Sequence, residues 1–176
     1  MKGTSRMKHI SEVNLDGREL SIRKPLKLSR DNQRRFVRLQ ISSPMALQTI
    51  KDIFGRFHPD GDYDIDGEIL NISAGGVLAE LEQPLNEGDI VAMRFSLEEV
   101  EPLEGVLGVV KRCDHDEDCH LVGIEFVTRR WLSDKLSQAE MQLLSESYSH
   151  FDQTVRNVLS AYIHERKAPQ GSGTDS

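Results

Sequence analysis

From Val37 the chain alternates: Val37, Leu39 and Ile41 are apolar while Arg38, Gln40 and Ser42 are polar. That is the period of a strand with one face buried. Pro44 predicts a kink or an edge, because proline has no N–H for a ladder. The strand resumes over Ala46 to Phe54, and the Gly-, Pro- and Asp-bearing run from Gly55 to Asp62 reads as a long hairpin turn. Tyr63 to Ile72 is the return strand, followed by strands over Val77–Leu85, Ile90–Leu97, Gly105–Arg112 and Leu121–Val127. With short turns between them and no helical period before Trp131, these segments predict a mainly β fold, a six-stranded antiparallel barrel.

The period changes after Trp131. Ser137 and Glu140 have the spacing of a capping box, which predicts a helix running from Ser137 to about Arg166 and ending before Pro169. Met141, Leu144, Tyr148, Phe151, Val155, Val158 and Tyr162 recur at alternating spacings of three and four, an apolar seam. A helix of that length spans about 45 Å, longer than a small domain is wide. Its seam therefore needs a cover, either the same helix of a second copy, giving a homodimer, or the barrel itself. The expected organisation is a mobile N-terminal segment with a basic linker at 1–32, a barrel at 33–130, a C-terminal helix at 131–168 and a disordered tail at 169–176.

Composition narrows the class. A chain of 176 residues with 38% hydrophobic residues supports one modest core. The formal net charge of -7 disfavours binding to nucleic acid or to an anionic membrane surface. The charge is uneven, however: Ser21 to Gln40 carries Arg23, Lys24, Lys27, Arg30, Arg34, Arg35 and Arg38 against Asp31, a local +6. A basic patch in an acidic chain suits a small anionic ligand better than a long polymer. No apolar run reaches membrane-spanning length, the amino terminus lacks a signal-peptide core, and the two cysteines suit a reducing cytoplasm.

The candidate chemistry lies in two short stretches. Arg34-Arg35-Phe36-Val37-Arg38 presents three planar cations, each shaped to grip phosphate oxygens or the O6/N7 edge of guanine. Asn71-Ile72-Ser73-Ala74-Gly75-Gly76 is a small polar turn between two strands. Their order, the β pattern between and after them, and the closing Gly123-Ile124-Glu125-Phe126 together resemble the PilZ domain family, over roughly Gln33 to Thr128. The resemblance implies a six-stranded β-barrel that binds the bacterial second messenger cyclic di-GMP. It implies that Arg34, Arg35 and Arg38 hold phosphates and guanine Hoogsteen edges. Asn71 and Ser73 would then hydrogen-bond the ligand from the barrel face, and Gly76 would leave room for the ring. Independently of the resemblance, Gly75 and Gly76 carry no Cβ and so permit positive φ and close backbone approach. Asn71 stands where the family more often has aspartate. Ligand binding would order the basic segment and relay the signal to a protein effector.

Other chemistries are weaker. Cys113, His115, Cys119 and His120 include zinc-ligand types, but their spacing matches no standard finger and the stretch reads as a solvated turn. No metal or cofactor is expected beyond the ligand cyclic di-GMP. No nucleophile and base stand out, so the chain is not read as an enzyme. Two rival readings are a ligand-independent interaction module and a binder of single-stranded RNA, the latter poorly served by so few aromatics.

Overall fold

In a computed structural model of the chain, residues 38–98, 100, 102–116, 118–148 and 153–167 are described. The N-terminal segment 1–32, Arg34, Arg35 and the tail 169–176 lie outside the described residues.

Six antiparallel strands follow one another: β1 (Arg38–Lys51), β2 (Ile65–Ser73), β3 (Gly76–Leu81), β4 (Ile90–Phe95), β5 (Leu103–Asp116) and β6 (Cys119–Phe126). They pair in the order β1-β2-β3-β6-β5-β4, and β1 also pairs with β4, so the sheet closes into a barrel. Closure pairs β1 with β4 over Met45 to Lys51, while the start of β1 and the end of β5 extend beyond that ladder. Pro44 does not interrupt β1. It lies just before Met45↔Phe95, the first β1–β4 pair, on a stretch that pairs only with β2. There the missing N–H costs little, and the Ser43 hydroxyl donates to the Ser96 carbonyl on the other side.

Apolar side chains pack on both sides of the wall. Met45, Leu47, Ile69, Ile72, Val91, Met93, Val106, Val122 and Ile124 fill the interior. A second cluster of Ile50, Ile90, Ala92, Leu107, Val109, Leu132 and Leu136 covers the outside of β1, β4 and β5. Two clusters therefore form where composition suggested one. Strands β4 and β5 read as nearly continuous apolar runs because both their faces are buried.

The C-terminal region is not one long helix. It forms α1 (Arg129–Lys135), α2 (Gln138–Leu143) and α3 (Gln153–Lys167). Thr128 caps α1 by accepting from the Trp131 N–H, a start signal the heptad reading passed over. Ser137 and Glu140 do form the capping box, at the head of α2. That helix stops because Leu144 is extended (φ -63°, ψ 127°) and Ser145 folds its hydroxyl onto the Ser147 N–H, the local bond by which serine competes with a helix.

The seam divides accordingly. Met141, Leu144 and Tyr148 pack on the outer cluster, whereas Val155 and Tyr162 join the interior one together with Leu159 and Ile163, which are not part of the seam; Val158 is exposed and Phe151 lies outside the described residues. The tyrosine that suits a coiled-coil seam poorly has a different task here: the Tyr148 hydroxyl donates to the Pro59 carbonyl and accepts from the Gln48 side-chain amide. With the helix broken at Leu144 and five of the seven seam side chains packed against the barrel clusters, the length argument for a helix-mediated homodimer has no support here. Among the described residues no helix is long and apolar enough to cross a membrane.

Two measurements check this packing. Leu132 and Leu159 are 2% and 0% exposed, on opposite sides of the wall. Changing either to alanine should cost about 2–5 kcal/mol in urea unfolding. The second concerns Glu140, whose carboxylate meets Lys51 Nζ at 2.8 Å and accepts from the Ser137 N–H. Lys51, and then the Ser137 N–H, hold its pKa below the ordinary carboxylate value. A depressed folded pKa gives stability that is present above the unfolded value and lost as pH falls through the folded one. Glu140→Gln keeps the capping geometry, so at neutral pH it should cost only the surface ion pair, about 0.2–1 kcal/mol, and the difference should vanish in acid.

Candidate ligand-binding site

The two candidate motifs, far apart in sequence, meet on adjacent strands. Arg38 opens β1 and Ser73 closes β2, and the two are direct partners; Gln40 faces Asn71 one step along. Their chain neighbours Leu39 and Ile72 contact the interior cluster, which turns Arg38, Asn71 and Ser73 to the outer face. Strict alternation would not achieve this. Ile69 and Ile72 both point inward although three residues apart, and a register shift between Ile69 and Asn71 absorbs the extra residue. Without that bulge Asn71 would face the core.

Asn71 and Ser73 are each only 9% exposed, whereas Arg38 is exposed. The Ser73 hydroxyl shapes its own turn: it accepts from the Gly75 N–H at 3.1 Å and donates to the Gly76 carbonyl at 3.3 Å. A hydroxyl has two acceptor lone pairs, so one remains for a ligand. The turn is bound to β6 as well, because the Gly75 carbonyl accepts from the Phe126 N–H at 3.0 Å.

Of the two roles expected of the glycines, positive φ and close backbone approach, the structure uses the second. The positive-φ glycines among the described residues are Gly55, Gly88 and Gly105, so neither Gly75 nor Gly76 is left-handed. Gly76 is required by close approach instead. A Cβ there would lie 2.1 Å from the Ile124 carbonyl oxygen and 3.1 Å from Glu125 Cα, both backbone atoms. The space at Gly76 is taken by β6, and the ring-clearance role expected of it has no support in this geometry.

Arg34 and Arg35, the other two members of the arginine motif, lie outside the described residues. Two open clefts of about 430 and 520 Å³ lie elsewhere, one beside Arg94 and Phe95 and the other beside Lys111 and Trp131. Neither includes Arg38, Asn71 or Ser73.

Two features escaped the sequence reading. Ile53 and Phe54 are 52% and 73% exposed at the tip of the β1–β2 connection. The tip is well braced: Asp52 accepts from the Phe54 and Arg56 N–H groups, and Asp89 from the Ile53 N–H. Backbone pull and the Arg56 guanidinium lower the Asp52 pKa against its desolvation, which acts in the opposite direction. An Asp-x-Phe-Gly sequence hints at such a turn but not at its exposure. The second feature is the pairing of His115 with His120, which only the register reveals.

A closed antiparallel barrel bearing an arginine beside a polar turn on its outer wall defines a small β-barrel domain. Its sequence matches the profile of the PilZ domain over residues 32–133. The chain belongs to the PilZ domain family. Among solved structures it is similar to that titled "Structure of Bacillus subtilis Inhibitor of motility (MotI/DgrA)", with a TM-score of 0.52 and 18% identity. The likeness covers 80% of this chain and 54% of that one, so this chain spans about half the neighbour's length; at that identity it shows the fold alone. No curated protein matches the sequence.

Gly76→Ala should separate structure from recognition. It should destabilise the fold by about 1–3 kcal/mol through backbone displacement, and Ser73→Ala by about 0.5–1.5 kcal/mol through loss of the turn bonds. Chemical denaturation without ligand measures both, and a Gly76→Ala protein as stable as the parent would contradict the close approach.

Proposed function

We propose that this chain is a receptor, not an enzyme, whose ligand is cyclic di-GMP, bound by Arg34, Arg35, Arg38, Asn71, Ser73, Gly75 and Gly76. The observation that carries the reading is the pair Arg38↔Ser73, which sets a guanidinium beside the polar turn on one outer face. Phosphate and the guanine O6/N7 edge are acceptors that a guanidinium fork matches, and the polar side chains of Asn71 and Ser73 can complete the set. In this reading Gly75 and Gly76 contribute by fixing the turn. The local +6 of Ser21 to Gln40 is offset by the ligand's two phosphates, and the change in that segment is what a protein effector senses.

A second reading, a ligand-independent interaction module, is favoured by the braced apolar tip at Ile53 and Phe54. The motility inhibitor similar in fold is named for an effect on motility. Calorimetric titration with cyclic di-GMP, with GTP and an RNA oligomer as controls, distinguishes these readings. Saturable binding of cyclic di-GMP alone is expected. Arg34→Ala and Arg38→Ala should each weaken it by about 1.5–3 kcal/mol, roughly 10- to 100-fold. Arg56→Ala, remote from the motif, should bind normally. No heat with cyclic di-GMP would leave the interaction module as the reading.

The relay is tested separately by hydrogen exchange. Amides from Leu26 to Phe36 should exchange more slowly at saturating ligand, and unchanged exchange there would leave a binding site without this switch.

A further inference from the structure

Beyond β4 the wall thins to a projecting hairpin. The β4–β5 ladder ends at Ile90↔Val109, but β5 and β6 continue together through Arg112↔Gly123 to Asp116↔Cys119, and β3 flanks them only as far as Leu81↔His120. Near the tip His115 and His120 are direct cross-strand partners. Their rings lie 4.8 Å apart between centroids at an interplanar angle of 40°, with the two Nδ1 atoms 3.3 Å apart.

That separation can be compared with two alternatives. At 3.3 Å a hydrogen bond joins the rings when one Nδ1 carries a proton and the other presents its lone pair. A tetrahedral ion bonded to two imidazole nitrogens at about 2.0–2.1 Å needs them roughly 3.3–3.4 Å apart. The observed spacing is that of one edge of such a tetrahedron. Neutral imidazole offers an unprotonated nitrogen as a ligand near neutral pH. The turn that joins the two strands is acidic in sequence, Asp114, Asp116, Glu117 and Asp118 lying between the cysteines, which lowers the local cost of a cation through the long-range field.

We propose that His115 and His120 form a cross-strand, two-imidazole site for a divalent transition-metal ion of the zinc class. The ion would clamp the tip of the β5–β6 hairpin. Among the described residues no third His, Cys, Asp or Glu joins the pair, so water fills the remaining positions. The thiols are not part of this site: Cys113 packs half-buried against the interior cluster, and no disulfide joins it to Cys119. The preference for imidazole over carboxylate or water ligands points to zinc, copper or nickel and away from magnesium or calcium.

The proposal is independent of the cyclic di-GMP reading, and its test uses the full chain without nucleotide. Metal-free protein is titrated with zinc chloride by calorimetry, and with cobalt chloride by visible absorption, whose intensity reports tetrahedral coordination. One ion per chain is expected. His115→Ala and His120→Ala should each lower affinity at least about tenfold, whereas Cys113→Ser and Cys119→Ser should leave it unchanged. His120→Gln is a second probe should His120→Ala unfold, and each variant's thermal melt without metal checks the fold. Absence of zinc binding by the parent, equal binding by the histidine variants, or an equal loss in the cysteine variants would overturn the assignment.

Discussion

Closure of the barrel depends on β1 serving two neighbours with different parts of its length. It pairs with β2 from Arg38 to Leu47 and with β4 from Met45 to Lys51, so the two ladders overlap only at Met45 to Leu47. A tilted strand in a closed barrel must be staggered in this way. One result is that the first residues of β1 are flanked by β2 alone, and Arg38 lies there. The arginine side of the candidate ligand site thus lies on a stretch of strand with one ladder rather than two, while Asn71 and Ser73 on β2 are paired with both β1 and β3.

The same wall is an interior surface twice over. Its inner face is completed by Leu159, Tyr162 and Ile163 of α3, and its outer face over β4 and β5 by Leu132 and Leu136. Each fully buried aliphatic side chain contributes about 1.5–3 kcal/mol, so short helices with little intrinsic stability are held by what they cover. The motif-bearing face of β1 and β2 stays outside both clusters. Segregating apolar cover from polar face lets one small barrel be stable and still present a polar surface.

Much of this was legible in the sequence. Period-two alternation located β1, apolar runs bounded by turn residues mark strands such as β4 and β5 that are buried on both faces, and the capping box at Ser137 marked a true helix start. The PilZ resemblance rested on motif order, which the register of Arg38 with Ser73 makes geometrically sensible. The failures have local causes. A heptad seam is defined by spacing alone, and the spacing from Met141 to Tyr162 survives a chain break at Leu144 that only backbone geometry shows. Positive φ and close approach were both open to Gly75 and Gly76, and only the structure shows that Gly76 uses the second, the absence of a side chain against Ile124. The inward placement of Ile69 and Ile72 depends on a bulge, which shifts which residues face out without altering composition. The approach of His115 to His120 is a matter of register, and a solvated turn and a two-stranded ladder look alike in a run of aspartates.

Because α3 completes the interior, the barrel cannot be sealed in the order in which it is made. Leu159, Tyr162 and Ile163 join a cluster containing Met45 and Leu47, contacts separated by more than 100 residues of chain. Folds dominated by such distant contacts form slowly. On a ribosome the six strands emerge first, and roughly 40 further residues must be added after β6 before α3 is complete, a delay of about 2–8 seconds at ordinary elongation rates. For that interval the nascent domain presents an unsealed apolar interior, a transient surface on which chaperones and neighbouring chains compete.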